Sequence, residues 1–449
     1  MTQRQRLLTA TILLLTAFTA LLNQTLMITA LPIMATTLHV SLNLAQWLTA
    51  GYVLMIGLTT PLSANLAEKY TSRQLFLSIV AVFILGTIIG PLTTNFAVIL
   101  LGRLIQAMAG GVLTTFVMTS MITIFPPERR GTVMGYVSLV ISAGPAIGPS
   151  LSGLIMARFP WQFLFYLILP IMVLAFLVAW RWLPNYSEPH LVNIDTRSVI
   201  SSMLGVGLML TSMTVFGHHA GVAALMLLAG FIITWDFLRR QVRIKKPLLD
   251  VSLFKKPSFS LMILITMLIF AILMGTEALI PIYVENVVHS SSLMAGLVML
   301  PGAVANAITA PLVGRYYDTH GVRGPLLWGL GILLISSLPF LMMTATTSLG
   351  WLAIVYVVRM IGVSMIMSIT ATEALKDLNP SQIGYGTAWT NALRQISGSA
   401  ANTLLIMVSL IPSQLIIGYR LAMGVTLGAA VILTGVCLGY LRNYRTSEA

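Results

Sequence analysis

The chain has 449 residues, of which 57% are hydrophobic and only 8% are charged. A water-soluble domain could not bury so much apolar surface, because the buried fraction of a folded chain rises only slowly with its length. The net charge of +13 does not indicate nucleic-acid binding, since the basic residues lie in short connections between apolar stretches. The composition predicts an all-α polytopic membrane protein. The single cysteine, Cys437, excludes an internal disulfide.

Fourteen apolar stretches are each long enough to cross the ~30 Å hydrocarbon core of a bilayer as a helix. We predict these spans at residues 8–34, 44–66, 75–93, 97–122, 132–156, 163–183, 197–216, 220–238, 259–285, 292–316, 323–344, 349–374, 384–409 and 419–441. Lysine and arginine in short loops mark the cytoplasmic side of a membrane. The even number of spans and the basic loops therefore predict that both termini are cytoplasmic.

The longest polar connections, residues 184–196 and 239–257, flank the seventh and eighth spans. These two spans therefore form a predicted hairpin insert. The predicted domains are a six-helix bundle over residues 1–184, linkers with a two-helix insert over 185–257, and a second six-helix bundle over 258–449.

An internal repeat supports the two bundles. Glu68 follows Pro61 by seven residues and precedes Arg73 by five, and the same spacings recur at Pro311, Asp318 and Arg323. Two related halves are typical of a transporter that rocks around a site near the bilayer midplane. Chance similarity between two loops is the alternative.

The repeat contains a loop signature, glycine–x–x–x–acid–x–x–glycine followed by a base. It is complete at Gly314, Asp318, Gly321 and Arg323, whereas the first copy keeps Glu68 and Arg73 but has Ala64 and Thr71 in place of the glycines. In this signature the chain resembles the major facilitator superfamily. The resemblance implies that the four acidic and basic residues belong to gates.

The fifth span reads GPAIGPSLSG over residues 144–153, and the fourth reads GRLIQAMAGG over 102–111. These motifs resemble the fourteen-span drug:proton antiporter branch of the superfamily. Glycines spaced by four permit close helix contact, and prolines free carbonyls that neighbouring groups must satisfy. We expect Gly144, Pro145, Gly148 and Pro149 to let span five close tightly on span eight or ten. A generic packing face is the alternative.

Ionisable residues inside spans are costly, at about 3 kcal/mol on insertion scales, and therefore suggest function. Four stand out: Arg103, Glu277, Arg359 and Arg394. Glu277 is the only acid deep within a predicted span, and we predict that it carries the coupled proton. The alternatives are a counter-ion for a cationic substrate and a structural ion pair with an arginine.

The resemblance makes Arg103 a proton-coupling residue, but its usual acidic partner in span one is replaced by Asn23, which cannot titrate. We therefore expect Asn23, Gln24 and Gln106 to surround Arg103 with hydrogen bonds, because a guanidinium has five donors. We expect Glu285 to lie at the outer interface. Glu373 is expected to face water or to pair with Lys376.

Flexible methionines, of which the chain has 26, and aromatic rings suit a site that accepts several hydrophobic ligands. The predicted substrate-binding residues are Asn23, Gln24, Tyr52, Gln106, Phe270, Met274, Glu277, Trp389, Asn391 and Arg394. The adjacent His218 and His219 indicate a turn, since no third metal ligand is near in sequence.

The function implied is a proton-coupled multidrug efflux antiporter of the bacterial plasma membrane. It would export hydrophobic, often cationic compounds by alternating access and need no cofactor or metal. An exporter of one metabolite, such as an amino acid, sugar or lipid precursor, is the nearest alternative. A channel would need a continuous polar path. A membrane enzyme would need a catalytic set that the sequence does not suggest.

Overall fold

The computed structural model describes residues 1–156, 158–187, 189, 195–215, 220–244 and 247–448. All regular elements of these residues are helical. The α-helices are α1 Gln3–Leu26, α2 Leu31–Thr37, α3 Leu42–Ala45, α4 Trp47–Thr59, α5 Leu62–Lys69, α6 Ser72–Ile89, α7 Phe96–Ile124, α8 Arg130–Met156, α9 Phe163–Trp182, α10 Thr196–Val215, α11 Ala220–Arg243, α12 Pro257–Ile282, α13 Ser292–His320, α14 Arg323–Leu341, α15 Leu349–Leu375, α16 Pro380–Leu410 and α17 Leu415–Glu448. Short 3-10 helices cover Gly90–Leu92, Pro127–Arg129 and Val251–Lys255, and a π-helix covers Tyr283–Val287.

Ten helical segments of the described chain are long and apolar enough to cross a membrane. They are Gln3–Thr37, Ser72–Leu92, Phe96–Ile124, Phe163–Trp182, Ala220–Arg243, Pro257–Val287, Leu293–His320, Arg323–Leu341, Leu349–Leu375 and Leu415–Arg442. Helices α4 and α5 form an eleventh if the pair, bent by 54°, is one span. Pro61 lies at this bend, where it has no N–H to continue the helical ladder. The all-helical membrane fold is thus confirmed.

Contacts between connections distinguish two ends of the helix array. At one end the backbone N–H of Arg73 donates to Asn185 at 3.1 Å, whereas at the other the hydroxyl of Tyr283 donates to the Thr344 carbonyl at 2.6 Å. The first end, here called the basic end, contains the connections at residues 70–71, 125–129, 183–187, 247–256, 321–322 and 376–379. Three of these connections contain lysine or arginine, at Arg129, at Lys255 and Lys256, and at Lys376, and the other three have a basic residue within two positions, at Lys69, Arg181 and Arg323.

Helices α10 and α11 form a hairpin. Gly230 packs directly on the backbone of Gly205, and Arg240 pairs with Asp195 at 2.8 Å where the hairpin reaches the basic end. Helix α10 contacts both α4 and α16. The hairpin therefore packs on helices from both parts of the chain that the repeat relates.

The N-terminal and C-terminal groups of helices meet along two seams. One seam joins α8 to α13, and the other joins α5 and α7 to α16. Since the two copies of the loop repeat lie at the ends of α5 and α13, each seam contains one copy.

Candidate functional site

The Arg103 side chain lies in a fully buried polar cluster of the N-terminal helices. Its Nη1 donates to the Asn23 carbonyl at 3.2 Å and to Oε1 of Gln106 at 3.1 Å, and its Nε donates to the Leu48 carbonyl at 3.2 Å. The predicted hydrogen bond to the Gln106 amide is confirmed, whereas Asn23 accepts through its backbone carbonyl and its amide oxygen has no partner among the described residues. Gln24 is partly exposed and makes no hydrogen bond to these groups within the described residues.

Tyr52 closes this cluster. Its ring centroid lies 4.0 Å from the Arg103 guanidinium carbon, and its hydroxyl donates to the Ala20 carbonyl at 3.2 Å. The Asn23 amide donates to Gln106 at 3.2 Å and to Tyr52 at 3.4 Å. In the described part of the chain no carboxylate lies within 4 Å of Arg103, so neutral acceptors and one aromatic ring stabilise its charge.

Arg359 occupies a similar position among the C-terminal helices. It is also buried, donates to Ser337 at 2.8 Å and to Thr426 at 3.1 Å, and lies 5.2 Å from the Phe340 ring. Neither ion pair of the described residues includes it. Arg103 and Arg359, in the fourth and twelfth predicted spans, are therefore two buried cations held by neutral groups.

Glu277 lies on the face of α12 that also presents Phe270 and Met274, since positions i, i+4 and i+7 share one side of a helix. Its Oε1 is buried without a hydrogen-bond partner among the described residues, as is the hydroxyl of Tyr356, which lies close enough to Glu277 for electrostatic interaction. The alternative of an ion pair between Glu277 and an arginine is absent from the described residues.

A small central cavity, with a volume of about 10 Å³ in this conformation, lies between the two groups of helices. Arg394 is 6% exposed, and its guanidinium carbon lies 5.2 Å from the ring centroid of Phe270. Both residues were predicted for the substrate site. The cavity is lined by Met118, Met134, Val137, Ser138, Ile141, Thr266, Phe270, Met367, Thr370, Ala371, Thr390 and Arg394.

Two other predicted residues lie in the same region. The amide of Asn391 donates to the Thr115 hydroxyl at 3.0 Å, which links α16 to α7 across the seam. Met274 packs beside Gly398, where a Cβ would lie 2.9 Å from its Cγ. The structure therefore places α12 and α16 in close contact next to the cavity.

Trp389 does not line the central cavity, and its predicted placement is corrected. Its Nε1 donates to the Asp250 carbonyl at 3.1 Å, and its ring centroid lies 5.0 Å from that of Phe254. The reason is helical geometry: Trp389 and Arg394 are five residues apart, so at 3.6 residues per turn they point in different directions.

The complete copy of the loop signature clamps α13 onto α8. Asp318 accepts hydrogen bonds from the backbone N–H groups of Gly131 and Thr132, at 2.7 and 2.8 Å, and from the Thr132 hydroxyl at 2.5 Å. The N–H groups at a helix N-terminus lack partners within the helix and favour a negative charge. Asp318 therefore caps a helix from the opposite group.

Glycines, which have no Cβ, allow the two helices to approach this closely. A Cβ on Gly131 would lie 2.7 Å from the Gly314 carbonyl oxygen, and one on Gly135 would lie 2.5 Å from that of Ala310. The carbonyl of one helix and the glycine of the other are thus in direct contact. Arg323, in contrast, is exposed.

The glycines of the GPAIGPSLSG motif pack against α1. The predicted contact between span five and span ten exists as that of α8 with α13, but it is made through Gly131 and Gly135 and not through Gly144 and Gly148. A Cβ on Gly144 would lie 3.0 Å from the Leu21 Cβ, and one on Gly148 would lie 3.0 Å from the Thr25 Cβ. The Thr25 hydroxyl donates to the Pro145 carbonyl at 3.2 Å. Pro149 has no N–H for that carbonyl, so α1 supplies the missing donor; the Pro149 side chain lies outside the described residues.

The degraded copy of the signature lies on the second seam. The Tyr385 hydroxyl of α16 donates to Asn65 at 3.5 Å and lies close to the Glu68 carboxylate. Glu68 and Tyr385 line a cavity of about 530 Å³ at the basic end. Arg73 does not contact α16; its guanidinium donates to the Trp180 carbonyl at the end of α9.

A second buried acid, Glu373, was not predicted. It is only 2% exposed, so the expectation that it faces water is wrong, although it does lie 3.8 Å from Lys376. Its oxygens accept hydrogen bonds from Tyr440, at 2.6 Å, and from Tyr317. These donors come from α17 and α13, far away in sequence. The neighbouring Thr-Glu-Ala-Leu run, which continues the apolar span, was the available signal.

Comparison with known proteins identifies the family. Residues 13–402 match the family model of the Major Facilitator Superfamily. The chain belongs to this superfamily. It is therefore a multi-pass membrane transporter, as the loop signature and the spans of the sequence indicated.

Two relatives and one solved structure show the range of similarity. An MFS-type transporter of Bacillus subtilis, YcnB, is 41% identical over 400 residues, which are 88% of this chain and 85% of the relative. The lincomycin resistance protein LmrB of Listeria innocua is 33% identical over 88% of this chain and 84% of its own. The crystal structure of the human organic anion transporter MFSD10 has a TM-score of 0.71 at 15% identity, covering 97% of this chain and 100% of that one, which shows the fold.

No group of three or more histidine, cysteine or acidic residues in the described part of the chain could hold a metal ion. His218 and His219 lie outside the described residues.

Proposed function

We propose that this protein is a proton-coupled antiporter that exports hydrophobic compounds from the bacterial cytoplasm by alternating access. The observation that carries the proposal is the central cavity, to which helices from both sides of the seams contribute methionine, aromatic and hydroxyl side chains. Methionine is flexible and can repack around different ligands. The similarity to a lincomycin resistance protein supports export of toxic compounds.

Alternating access requires two bodies that move about the cavity. We propose fourteen spans, arranged as six-helix bundles over residues 1–184 and 258–449 with the hairpin of residues 185–257 between them. Eleven of these spans would be the ten apolar segments and the bent α4–α5 pair described above. Helices α8, α10 and α16 would be the other three. The gathering of basic connections at one end supports a cytoplasmic position for that end and for both termini. A cysteine at Arg243, in a Cys437→Ser background, should resist a membrane-impermeant reagent added outside cells.

Glu277 is the proposed proton carrier, with Arg103 as a coupling residue. An ionised carboxylate that is buried without a donor is costly, so binding a proton stabilises the group in the state that the structure shows. A change in conformation that opens this region to water would favour release of the proton. Exchange of a proton for substrate then needs only that the two compete for one conformation.

The test is proton release on substrate binding to purified protein, measured with a pH indicator for wild type and for Glu277→Gln. The amide preserves shape but cannot titrate. We expect release to be lost in this variant and retained in Glu285→Gln, which removes an acid near the end of the same helix. Release by Glu277→Gln with the wild-type pH midpoint would place the carrier elsewhere, with Glu373 the next candidate.

Export of one specific metabolite is the second candidate. The hydroxyls of Thr266, Thr370 and Thr390 and the guanidinium of Arg394 give the cavity polar groups that could recognise a defined ligand. A panel of hydrophobic toxic compounds, tested on cells with and without the protein and with an uncoupler, separates the two. Export of several unrelated compounds that stops with the uncoupler supports multidrug exchange.

A further inference from the structure

Three buried arginines give the interior of the helix array an excess of positive charge. Arg103, Arg359 and Arg394 lie within helices and are at most 6% exposed, and arginine stays protonated in proteins. In the described part of the chain no carboxylate lies within 4 Å of any of them. Of the two buried acids described above, Glu373 pairs with Lys376, and Glu277 offsets at most one of the three charges.

The three arginines differ in what surrounds their charges. Arg103 and Arg359 donate hydrogen bonds to carbonyl, amide and hydroxyl oxygens. The Arg394 guanidinium donates no hydrogen bond to another described residue, and its Nε is buried without a partner, as are Nη2 of Arg103 and Nε of Arg359. A buried charge that lacks an acceptor is costly, so Arg394, whose guanidinium has no acceptor among the described residues, needs a further group more than Arg103 and Arg359 do.

Arg394 also differs in position, because it lines the central cavity whereas the other two do not. The lining residues given above include no acid, and the Phe270 ring stacks beside the guanidinium. Two features therefore meet in one place: a cation that needs an acceptor, and an apolar surface of methionine and phenylalanine. In a low-dielectric site such a cation attracts an anion strongly and repels another cation.

We propose that the exported compounds are amphipathic anions, whose carboxylate or other acidic group binds the guanidinium of Arg394. Guanidinium and carboxylate form two parallel hydrogen bonds, which would satisfy the unpartnered Nε. The apolar part of the compound packs against Phe270 and the methionines of the cavity. This inference rests on the proposed export function and replaces the expectation of cationic substrates with the opposite charge.

The test uses three probes that share one apolar body and differ only in charge: pyrenebutanoate, its methyl ester, and a pyrenylbutyl trimethylammonium ion. Binding is measured by fluorescence with the whole protein in nanodiscs of uncharged lipid. We expect the wild type to bind the carboxylate at least tenfold more tightly than the ester, and to bind the cation most weakly. Arg394→Gln should abolish the preference for carboxylate over ester, and Arg394→Lys should keep part of it.

Arg442→Gln is the matched control, because it removes one arginine from an exposed position at the end of α17. It should keep the wild-type preference. Equal binding of carboxylate and ester by the wild type, or tighter binding of the cation, overturns the proposal. A carboxylate preference that persists in Arg394→Gln, with a wild-type melting temperature, also overturns it. If Arg394→Gln does not fold, the wild-type order of the three probes and Arg394→Lys still decide.

The export function is tested separately with the same probes. The protein is reconstituted into the membrane of lipid vesicles, a proton gradient is applied, and the movement of each probe across the membrane is measured. Transport of the ester or cation without preference for the carboxylate refutes the inference about charge and leaves export standing. Gradient-driven transport of the carboxylate, lost in Arg394→Gln, supports both.

Discussion

The seam at Asp318 and the seam at Glu68 carry two copies of one loop signature, and they pack differently. At the first, backbone meets backbone through Gly131 and Gly314, and Asp318 accepts hydrogen bonds from the end of α8. At the second, Ala64 stands where the signature has glycine, and its Cβ lies 3.8 Å from the Cβ position of Gly384. There the acid lines a cavity and lies close to the Tyr385 hydroxyl.

From this difference we infer that the contact made by the acid depends on the glycine of the signature. A carboxylate can reach the N–H groups of a facing helix end only if the two backbones approach closely. At the second seam the Ala64 methyl group faces Gly384 of α16, and Glu68 interacts with the Tyr385 side chain. The first seam is a tight clamp and the second a looser contact, so we expect mutations at the first to have the larger effects.

The largest effect is expected for Gly314→Val. Its Cβ would overlap the Gly131 carbonyl, and overpacking of this kind typically costs about 1–3 kcal/mol. Helices α8 and α13 should separate at the basic end and transport should fall by about tenfold or more, since ~1.4 kcal/mol is a tenfold change. Distances between spin labels on Glu128 and Thr319, in a Cys437→Ser background, measure the separation.

Gly331→Val is the control for that variant, because an added Cβ at Gly331 has no neighbouring atom within 4 Å. It should leave the label distances and transport unchanged. Unchanged distances in Gly314→Val would mean that the seam is not a clamp.

An intermediate effect is expected for Asp318→Asn, compared with Glu68→Gln at the other seam. The amide loses its negative charge and one acceptor, and a hydrogen bond to a charged group is worth about 1.5–3 kcal/mol. We expect Asp318→Asn to increase several-fold the fraction of molecules in which the helices are separated at the basic end. Glu68→Gln should change this fraction less than twofold. Equal effects would show that the two copies act alike in spite of their different packing.

The smallest effect is expected at the hairpin of α10 and α11, which contains neither copy of the loop signature. Hydrogen bonds from Arg240 and Ser198 lower the pKa of Asp195 from 3.8 to about 2. Because the folded-state pKa is lowered, this contribution to stability is present above about pH 4 and is lost as the pH falls toward 2. It is small, since both partners are partly exposed to water.

Arg240→Gln should raise the pKa of Asp195 toward its ordinary value, which a carboxyl NMR titration can follow. Label distances at both seams should stay as in the wild type near neutral pH. A shift of the α8–α13 distance in this variant would show that the hairpin takes part in closing the first seam.

Several site residues were predictable because their chemistry is local. A charged residue in an apolar span is visible in the sequence, and Arg103, Arg359 and Arg394 are all buried as expected. The hydrogen bond from Arg103 to the Gln106 amide followed from donor counting, whereas the acceptor in Asn23 is its backbone carbonyl. Prediction failed where direction around a helix mattered, as for Trp389, which faces the Asp250 linker.

The sequence by itself determined the membrane fold, the approximate helices and the family, because apolar transfer and helix length are properties of short segments. Only the tertiary structure decided which helix each motif meets. Gly148 contacts α1, Asp318 caps α8 from 187 residues away, and Glu373 is buried because two distant tyrosines donate to it. Such contacts depend on the way in which long helices are aligned and rotated against each other, and no short segment of sequence contains that information.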